Sequence, residues 1–390
     1  MATNVIGANL ARLRNEKGLT QVAIAEGAGI SRVAYSKIER GISRPKAETL
    51  RSLARALDVS IAKLVTPVER LENIRFRATK KLAIRSSVLV DVGRRLRNFT
   101  DLEKLLGCES PYPLAGVSRR IQRARQRSPI TAASQVRKEL GIGPKEPILD
   151  IRGLLEERAG IKLLSMPRNS DSFFGLSVAS KNYGHAIVVN TFERISVERW
   201  IFTAAHELGH LVMHGADYGQ ETVIKAEEDN AEREANVFAS HFLMPVEMFE
   251  REWGHTRGMG LVDRVLHIKR IFKVSYLTVL YRLSEILPIG KGIWGRFRSL
   301  YMQKHNKTLG RTDEPLPLAE QAFSDARPSG EPDNLSPSDF AHDRLHRLVR
   351  QALEEKKISI SRGAEILDLS LSNMRKIMNG WVMEPTPASG

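Results

Sequence analysis

The chain has 390 residues, enough for two or three domains that each contain a hydrophobic core. Its formal net charge of +15 at pH 7 favours a polyanionic partner. A single cysteine, Cys108, excludes an intramolecular disulfide and fits a reducing compartment. The N-terminal residues lack the apolar stretch of a signal peptide, and no apolar run approaches membrane-spanning length. We therefore expect a cytoplasmic protein, associated with the nucleoid if it binds DNA, with no membrane partner.

Residues 4 to 66 contain five short helical patterns that are separated by turn signals. Thr20 and Ser31 stand at the N-terminal cap positions of the second and third patterns, and glycines follow both patterns. Two short helices joined by a glycine-containing turn, the second rich in basic and small polar residues, are typical of a helix-turn-helix. We therefore expect a DNA-binding domain over residues 1–68. The alternative is a small helical bundle that serves only protein contacts.

The same segment resembles the phage-repressor-like XRE/Cro class of helix-turn-helix domains. The resemblance is carried by Leu19-Thr20-Gln21, Gly29-Ile30-Ser31, Ile38-Glu39-Arg40-Gly41 and Pro45. It implies that the third helical pattern enters the major groove of a double-stranded operator, which a homodimer would bind as two half-sites. The residues expected to contact this DNA are Gln21, Ser31, Arg32, Val33, Ser36 and Lys37.

Two further residue roles within this domain are expected to be structural. Tyr35 occupies a position that is usually aliphatic, so we place it in the core. Arg14 and Glu39 are expected to form an internal ion pair that braces the motif.

Residues 69–143 are predicted to form a helical connector that carries much of the excess positive charge. Arg94, Arg95 and Arg97 fit the solvated face of a helix. The basic run from Arg119 to Arg127 fits either such a face or a contact with the DNA backbone. Strand patterns at residues 160–164, 175–178 and 185–190 then predict a small sheet.

The sequence His206-Glu207-Leu208-Gly209-His210 lies in a helical pattern whose apolar residues predict a core helix. Two histidines four positions apart share one face of a helix, so His206 and His210 can bind one metal ion. Glu207, beside the first histidine, then stands where a general base is needed. A catalytic zinc also needs a third protein ligand, which a second predicted helix supplies. We favour Glu234 for this role, with Glu232 as the alternative.

Two other histidines are weaker candidates for the third ligand. A continuous helix would place His214 roughly 12 Å along the axis from His206, so we expect it to be a helix-end residue. His241, close to the second helix, is expected to be a partly buried structural histidine.

Residues 145 to 245 resemble the ImmA/IrrE family of zinc metallo-endopeptidases. The matching segments are residues 146–150, 173–175, 187–190, 206–210 with His214, 234–236 and 242–245. The resemblance implies a gluzincin-like domain, placed at residues 144–304, in which His206, His210 and Glu234 bind Zn²⁺ and Glu207 is the general base. It also implies that an edge strand of the sheet holds the substrate as an added strand.

Residues 305–338 are rich in proline, glycine, serine and acidic residues, and they predict a flexible linker. Residues 339–390 then repeat a helix-turn-helix rhythm, which resembles the C-terminal unit of long XRE–ImmA fusions. The sequence allows three roles for this unit: a second DNA-binding module, a dimerisation element or a packed cap. We favour the cap or the dimerisation element.

The predicted fold class is mainly α-helical with a small β-sheet, in an α+β arrangement. The predicted function is a DNA-binding transcriptional regulator with a zinc-dependent endopeptidase domain, which cleaves a repressor, another regulator or itself when a signal arrives. The alternative is a transcription factor whose peptidase-like domain acts as a metabolite sensor or scaffold without proteolysis. Glu207 favours the peptidase, because a scaffold needs metal ligands but has no use for a general base.

Overall fold

The computed structural model describes residues 5–65, 74–78, 84–124, 128–166, 173–192, 195–215, 225–287, 290, 292–310, 313–315 and 343–381. The chain divides into two compact units, the first comprising residues 1–71 and 80–98 and the second residues 72–79 and 99–390. The described part is mainly helical with one small sheet, which confirms the predicted fold class. The predicted domain limits stay a prediction, and the expected linker lies mostly outside the described residues. Among those residues, no helix combines the length and apolar composition that crossing a bilayer requires.

The helices follow one another from the N-terminus to the C-terminal unit, which we define as residues 343–381. They are α1 (Val5–Glu16), α2 (Gln21–Gly27), α3 (Arg32–Glu39), α4 (Ala47–Ala56), α5 (Ile61–Val65), α6 (Ile84–Leu106), α7 (Ala115–Arg123), α8 (Pro129–Glu139), α9 (Ile151–Gly153), α10 (Val197–Met213), α11 (Lys225–Leu243), α12 (Val246–His255), α13 (Leu261–Phe272), α14 (Tyr276–Ile286), α15 (Gly292–His305), α16 (Arg344–Glu354), α17 (Ile360–Leu367) and α18 (Leu371–Trp381). A π-helical turn, Leu154–Arg158, continues α9.

The first five helices pack around a small core, whose central side chains include Leu10, Ile24, Tyr35 and Leu53. Tyr35 is fully buried, which confirms its expected place in the core. Oxygen atoms of cap side chains satisfy backbone N–H groups at the start of α2 and α3, and each such cap typically contributes about 1 kcal/mol. The local sequence therefore determines where these two helices begin, and burial of their apolar sides determines how they pack.

The sheet contains four strands, β1 (Ile74–Ala78), β2 (Lys162–Met166), β3 (Phe173–Ser180) and β4 (Gly184–Asn190), in the order β1-β3-β4-β2. β2 runs parallel to β4, whereas β3 is antiparallel both to β4 and to β1. The last three strands overlap the three predicted ones. β1 was not predicted, although the alternation Ile74-Arg75-Phe76-Arg77 is a strand pattern that we interpreted only as positive charge.

α10 and α11 cross at close range in the core of the second unit. Gly209 permits this approach, because a Cβ atom at that position would lie 2.9 Å from Cδ1 of Phe238. Phe238 and Leu208 are fully buried at this crossing. The glycine inside the motif at residues 206–210 thus brings the side chains of α11 within reach of the two motif histidines.

The C-terminal unit is anchored within the second unit through Arg344 at the start of α16. Its guanidinium lies 2.7 Å from a carboxylate oxygen of Glu103, and its backbone N–H donates to Glu156. Glu103 also forms a 2.8 Å ion pair with Lys162 on β2, so one buried carboxylate joins α6, the sheet and α16. Buried pairs of this kind are costly to break, because the remaining charge loses its partner.

Candidate zinc centre and DNA-binding face

Ser196 caps the N-terminus of α10, and its hydroxyl accepts a hydrogen bond from the backbone N–H of Arg199. Most residues of α10 are apolar or small and are buried. The helix packs against β3 and β4. His206 and His210 are fully buried on one face of this helix, and Glu207 is 1% exposed. The sequence thus places three polar side chains inside the domain, where each needs a partner.

Three side chains converge at this face as a group of potential metal ligands: His206, His210 and Glu232. The two histidine Nε2 atoms are 3.0 Å apart, and the Glu232 oxygens lie 3.3 Å from His206 Nε2 and 3.1 Å from His210 Nε2. Ligand bonds of about 2.0–2.1 Å in a tetrahedron place neighbouring ligand atoms about 3.3 Å apart. The donor set of two imidazole nitrogens and a carboxylate therefore fits zinc in both chemistry and spacing.

Glu232 is held in its ionised form. Burial alone would raise the pKa of its carboxyl group, but the hydrogen bonds with His206 and His210 outweigh burial and lower that pKa. An ionised carboxylate beside two imidazoles is the protonation state that a divalent cation requires of its ligands.

Glu234, the ligand favoured by the sequence, lies outside this group. Its Oε2 atom is 2.9 Å from Nε2 of His214, and its Oε1 atom accepts a hydrogen bond from Asn230. Residues two positions apart are rotated by about 200° around the helix axis and so lie on nearly opposite sides of the helix. Glu232 and Glu234 therefore cannot both face His206. We therefore replace Glu234 by Glu232 in the proposed ligand set.

A second layer of side chains contacts the ligand histidines through their other ring nitrogens. Nδ1 of His206 lies 3.0 Å from Oδ1 of Asn236, and Nδ1 of His210 lies 3.1 Å from Nδ1 of His214. Because Glu234 contacts the far nitrogen of His214, a chain of hydrogen bonds runs from this carboxylate to the ligand His210. Such partners fix the orientation of the ring and the nitrogen that faces the metal.

His214 follows the last residue of α10, as expected of a helix-end residue. His241 is buried against Arg282 and Glu285, away from the ligand group, as expected of a structural histidine.

Glu207 faces β3. Its Oε2 atom accepts a 2.8 Å hydrogen bond from the hydroxyl of Ser177. Gly175 leaves room for this carboxylate, because a Cβ there would lie 3.3 Å from Cγ of Glu207 and 2.6 Å from Cγ2 of Thr203. Strand β3 therefore positions the general-base candidate beside the ligand group.

Sequence reasoning missed Asn236 and Ser177 as site residues. Asn236 could have been found, because it lies four positions after Glu232 and so shares its helical face. Ser177 lies on a strand, and its meeting with Glu207 depends on how the sheet packs against α10, which no local pattern reveals.

The residues that the sequence predicts to contact DNA lie on α3 and directly beside it. Ser31, Arg32, Val33 and Lys37 are exposed, and Ser36 is half-buried. The Ser31 hydroxyl accepts a hydrogen bond from the backbone N–H of Ala34, which caps the N-terminus of α3.

The predicted brace of the helix-turn-helix is present. Arg14 pairs with Glu39 at 2.8 Å, which confirms the expected ion pair, and Gln21 donates a hydrogen bond to the same carboxylate. Gln21 is therefore fixed next to α3, where the resemblance places a DNA contact.

Comparison with known proteins connects both sites to described families. Residues 10–64 match a helix-turn-helix family model, and residues 156–284 match the model of the IrrE N-terminal-like domain of peptidase family M78. The N-terminal part is 48% identical over 65 residues to the HTH-type transcriptional regulator y4dJ of Sinorhizobium fredii (strain NBRC 101917 / NGR234), covering 17% of this chain and 84% of that protein. The chain belongs to the HTH-type transcriptional regulators.

The chain is also 40% identical over 57 residues to the cryptic phage CTXphi transcriptional repressor RstR of Vibrio cholerae, covering 15% of this chain and 51% of that protein.

This regulator therefore combines a DNA-binding helix-turn-helix with an IrrE-like M78 domain, in the order that the sequence predicted. The M78 match contains all three potential zinc ligands together with Glu207 and Ser177. The individual DNA contacts stay a prediction.

Arg32→Ala should weaken operator binding by about 1–3 kcal/mol if Arg32 contacts a guanine in the major groove. The side chain is exposed at the start of α3, so its removal should leave the fold intact. Binding to operator and mutated operator duplexes would be compared by fluorescence anisotropy. Unchanged affinity and unchanged sequence preference would remove Arg32 from the interface.

Proposed function

We propose that this regulator is a zinc-dependent endopeptidase tethered to its own DNA-binding domain. It would hydrolyse a peptide bond in a repressor or another regulator, or in its own chain, when a signal arrives. The main support for this proposal is the hydrogen bond between Ser177 and the buried Glu207. It lies next to three potential ligands whose spacing fits a zinc ion. A domain that only held a metal as a scaffold would have no use for a second, separately oriented carboxylate.

The chemistry divides between the metal and the side chains around it. When bound by His206, His210 and Glu232, zinc would supply a Lewis acid that polarises a peptide carbonyl and lowers the pKa of water. Glu207 would take the proton of the attacking water and pass it to the leaving amine. Ser177 donates a hydrogen bond to Oε2 of Glu207, and this bond would fix the orientation of the carboxylate for proton transfer.

We expect the substrate to bind alongside β3, because Ser177 on this strand contacts Glu207. An extended peptide can add to the edge of a sheet through main-chain hydrogen bonds. That edge of β3 is taken by β1, whose backbone pairs Arg75 with Ser177 and Arg77 with Gly175. A peptide substrate would therefore have to replace β1, which follows the DNA-binding domain in the chain. This arrangement would keep the rate of peptide cleavage by the unmodified chain low.

A proline in β1 should therefore increase cleavage. Neighbouring residues of an antiparallel strand alternately direct their N–H groups towards the partner strand and away from it. One of the variants Arg75→Pro and Phe76→Pro should thus remove a ladder hydrogen bond and speed peptide cleavage several-fold, while the other serves as its matched control. Equal cleavage by both variants and the unmodified chain would show that β1 does not limit access.

The proposed activity can be tested without a known substrate. The zinc-loaded full-length chain would be incubated with a library of proteome-derived peptides, and new termini would be identified by mass spectrometry. We expect a defined set of cleavages that disappears after chelation and returns with zinc. A library unchanged by the zinc-loaded unmodified chain and by both β1 proline variants would contradict the peptidase and favour a sensor or scaffold domain.

A further inference from the structure

The C-terminal helices α17 and α18 repeat the local geometry of the DNA-binding helices α2 and α3. The caps of the two helices are eleven positions apart in both pairs, at residues 20 and 31 and at residues 359 and 370. The Ser31 and Ser370 hydroxyls each accept from the N–H three residues ahead, at 3.1 Å in both cases. The same cap bond starts the preceding helix, at 3.1 Å from Thr20 and 3.2 Å from Ser359.

The turns between the helices also agree. Gly29 and Asp368 hold the same place, two residues before the second cap, and both have positive φ angles, of 68° and 59°. Aspartate is one of the few residues that tolerates this left-handed conformation. The same two backbone hydrogen bonds close each turn: Gly29 to Glu26 and Ile30 to Ala25 in the first, and Asp368 to Glu365 and Leu369 to Ala364 in the second.

The buried positions of the two motifs coincide as well. Ala25, Ala28 and Tyr35 are buried in the first motif, and the equivalent Ala364, Leu367 and Met374 are buried in the second. The caps, turn hydrogen bonds and buried positions of the first helix-turn-helix are therefore all repeated in the second.

The equivalent of the DNA-binding face is exposed and basic. Arg32, Val33, Ser36 and Lys37 correspond to Leu371, Ser372, Arg375 and Lys376, all four of which are exposed. α18 contains two basic residues and no acidic residue, and residues 343–381 contain eight basic against five acidic residues. A single exposed leucine among polar and basic side chains fits the phosphates and base edges of DNA better than an apolar protein surface.

We propose that α18 is a second DNA-recognition helix and that the C-terminal unit binds double-stranded DNA. Ser372 and Asn373 in its first turn would reach base edges or phosphates, and Arg375 and Lys376 would contact the phosphate backbone. One chain then carries two DNA-binding motifs, one before and one after its M78 domain. This site is separate from the zinc centre and does not depend on peptidase activity.

The test measures binding of the full-length chain to a random-sequence duplex over a range of salt concentrations. Each phosphate contact contributes about 0.9 to the slope of log affinity against log salt. In an Arg32→Ala/Lys37→Ala background, Arg375→Ala/Lys376→Ala should lower that slope by about 2 and weaken binding about tenfold at moderate salt. The matched control is Arg296→Ala/Arg298→Ala, which removes the same charge from an exposed face of α15. Thermal unfolding would verify that each variant is folded.

A gain-of-binding variant keeps the proposal testable if the double variant does not fold. Leu371 is 45% exposed and holds the place of Arg32, so Leu371→Arg should tighten DNA binding and steepen the salt slope by about 1. Equal slopes for the α18 and α15 double variants, or no gain with Leu371→Arg, would overturn the proposal. Either result would leave the C-terminal unit as a protein-contact element.

Discussion

Glu207→Gln should abolish peptide cleavage while zinc binding and DNA binding stay as they are. Loss of a general base typically lowers the rate by about 10²–10⁴-fold. Glutamine keeps the size of the side chain, and its amide oxygen can still accept the Ser177 hydrogen bond. The packing around Gly175 is therefore retained, and only the proton-accepting group is lost.

The measurement for Glu207→Gln is the rate at which new peptide termini appear, with zinc content determined on the same sample. Ser177→Ala is the graded companion, because it leaves the carboxylate in place and removes only its orienting hydroxyl. We expect a smaller loss for this variant than for Glu207→Gln. Wild-type cleavage by the zinc-loaded Glu207→Gln variant would show that another group takes the proton.

Glu232→Ala should remove zinc from the protein, whereas Glu234→Ala should only weaken its binding. Outer partners of metal ligands typically contribute about 10–100-fold to metal affinity, so loss of a direct ligand should cost more than that. Glu232 lies 3.1 Å and 3.3 Å from the two histidine nitrogens, while Glu234 acts on His210 only through His214. The two variants remove the same group from nearly opposite sides of one turn of α11, so each controls for the other.

Zinc affinity of these two variants would be measured by competition with a chromophoric chelator. We expect the unmodified chain to bind zinc most tightly, Glu234→Ala less tightly and Glu232→Ala most weakly. The reverse order of the two variants would restore Glu234 as the ligand. Equal affinities for all three proteins would place the metal elsewhere.

Local features of the sequence were sufficient to predict the helix-turn-helix and two of the three candidate zinc ligands. Caps, turn glycines and the i, i+4 spacing of His206 and His210 are decided within a few residues, so the pattern predicts them directly. The choice between Glu232 and Glu234 was different, because both lie on the predicted helix. It depends on the face that α11 turns to α10, and the close approach of Gly209 to Phe238 sets that face.

Features that depend on distant parts of the chain were missed. Ser177 meets Glu207 only because β3 packs along α10, and β1 joins the sheet from a segment almost a hundred residues before β3. The C-terminal helix-turn-helix rhythm was visible in the sequence. The proposal that this unit binds DNA rests on its matching caps, turn bonds and exposed face, which depend on backbone geometry.

The zinc content of the unmodified full-length chain, measured by elemental analysis after reconstitution and dialysis, tests the proposed metal site itself. We expect one zinc ion per chain, bound by His206, His210 and Glu232. A chain that retains no zinc after reconstitution would contradict the proposed metallopeptidase, and would leave a DNA-binding regulator whose M78 domain serves another purpose.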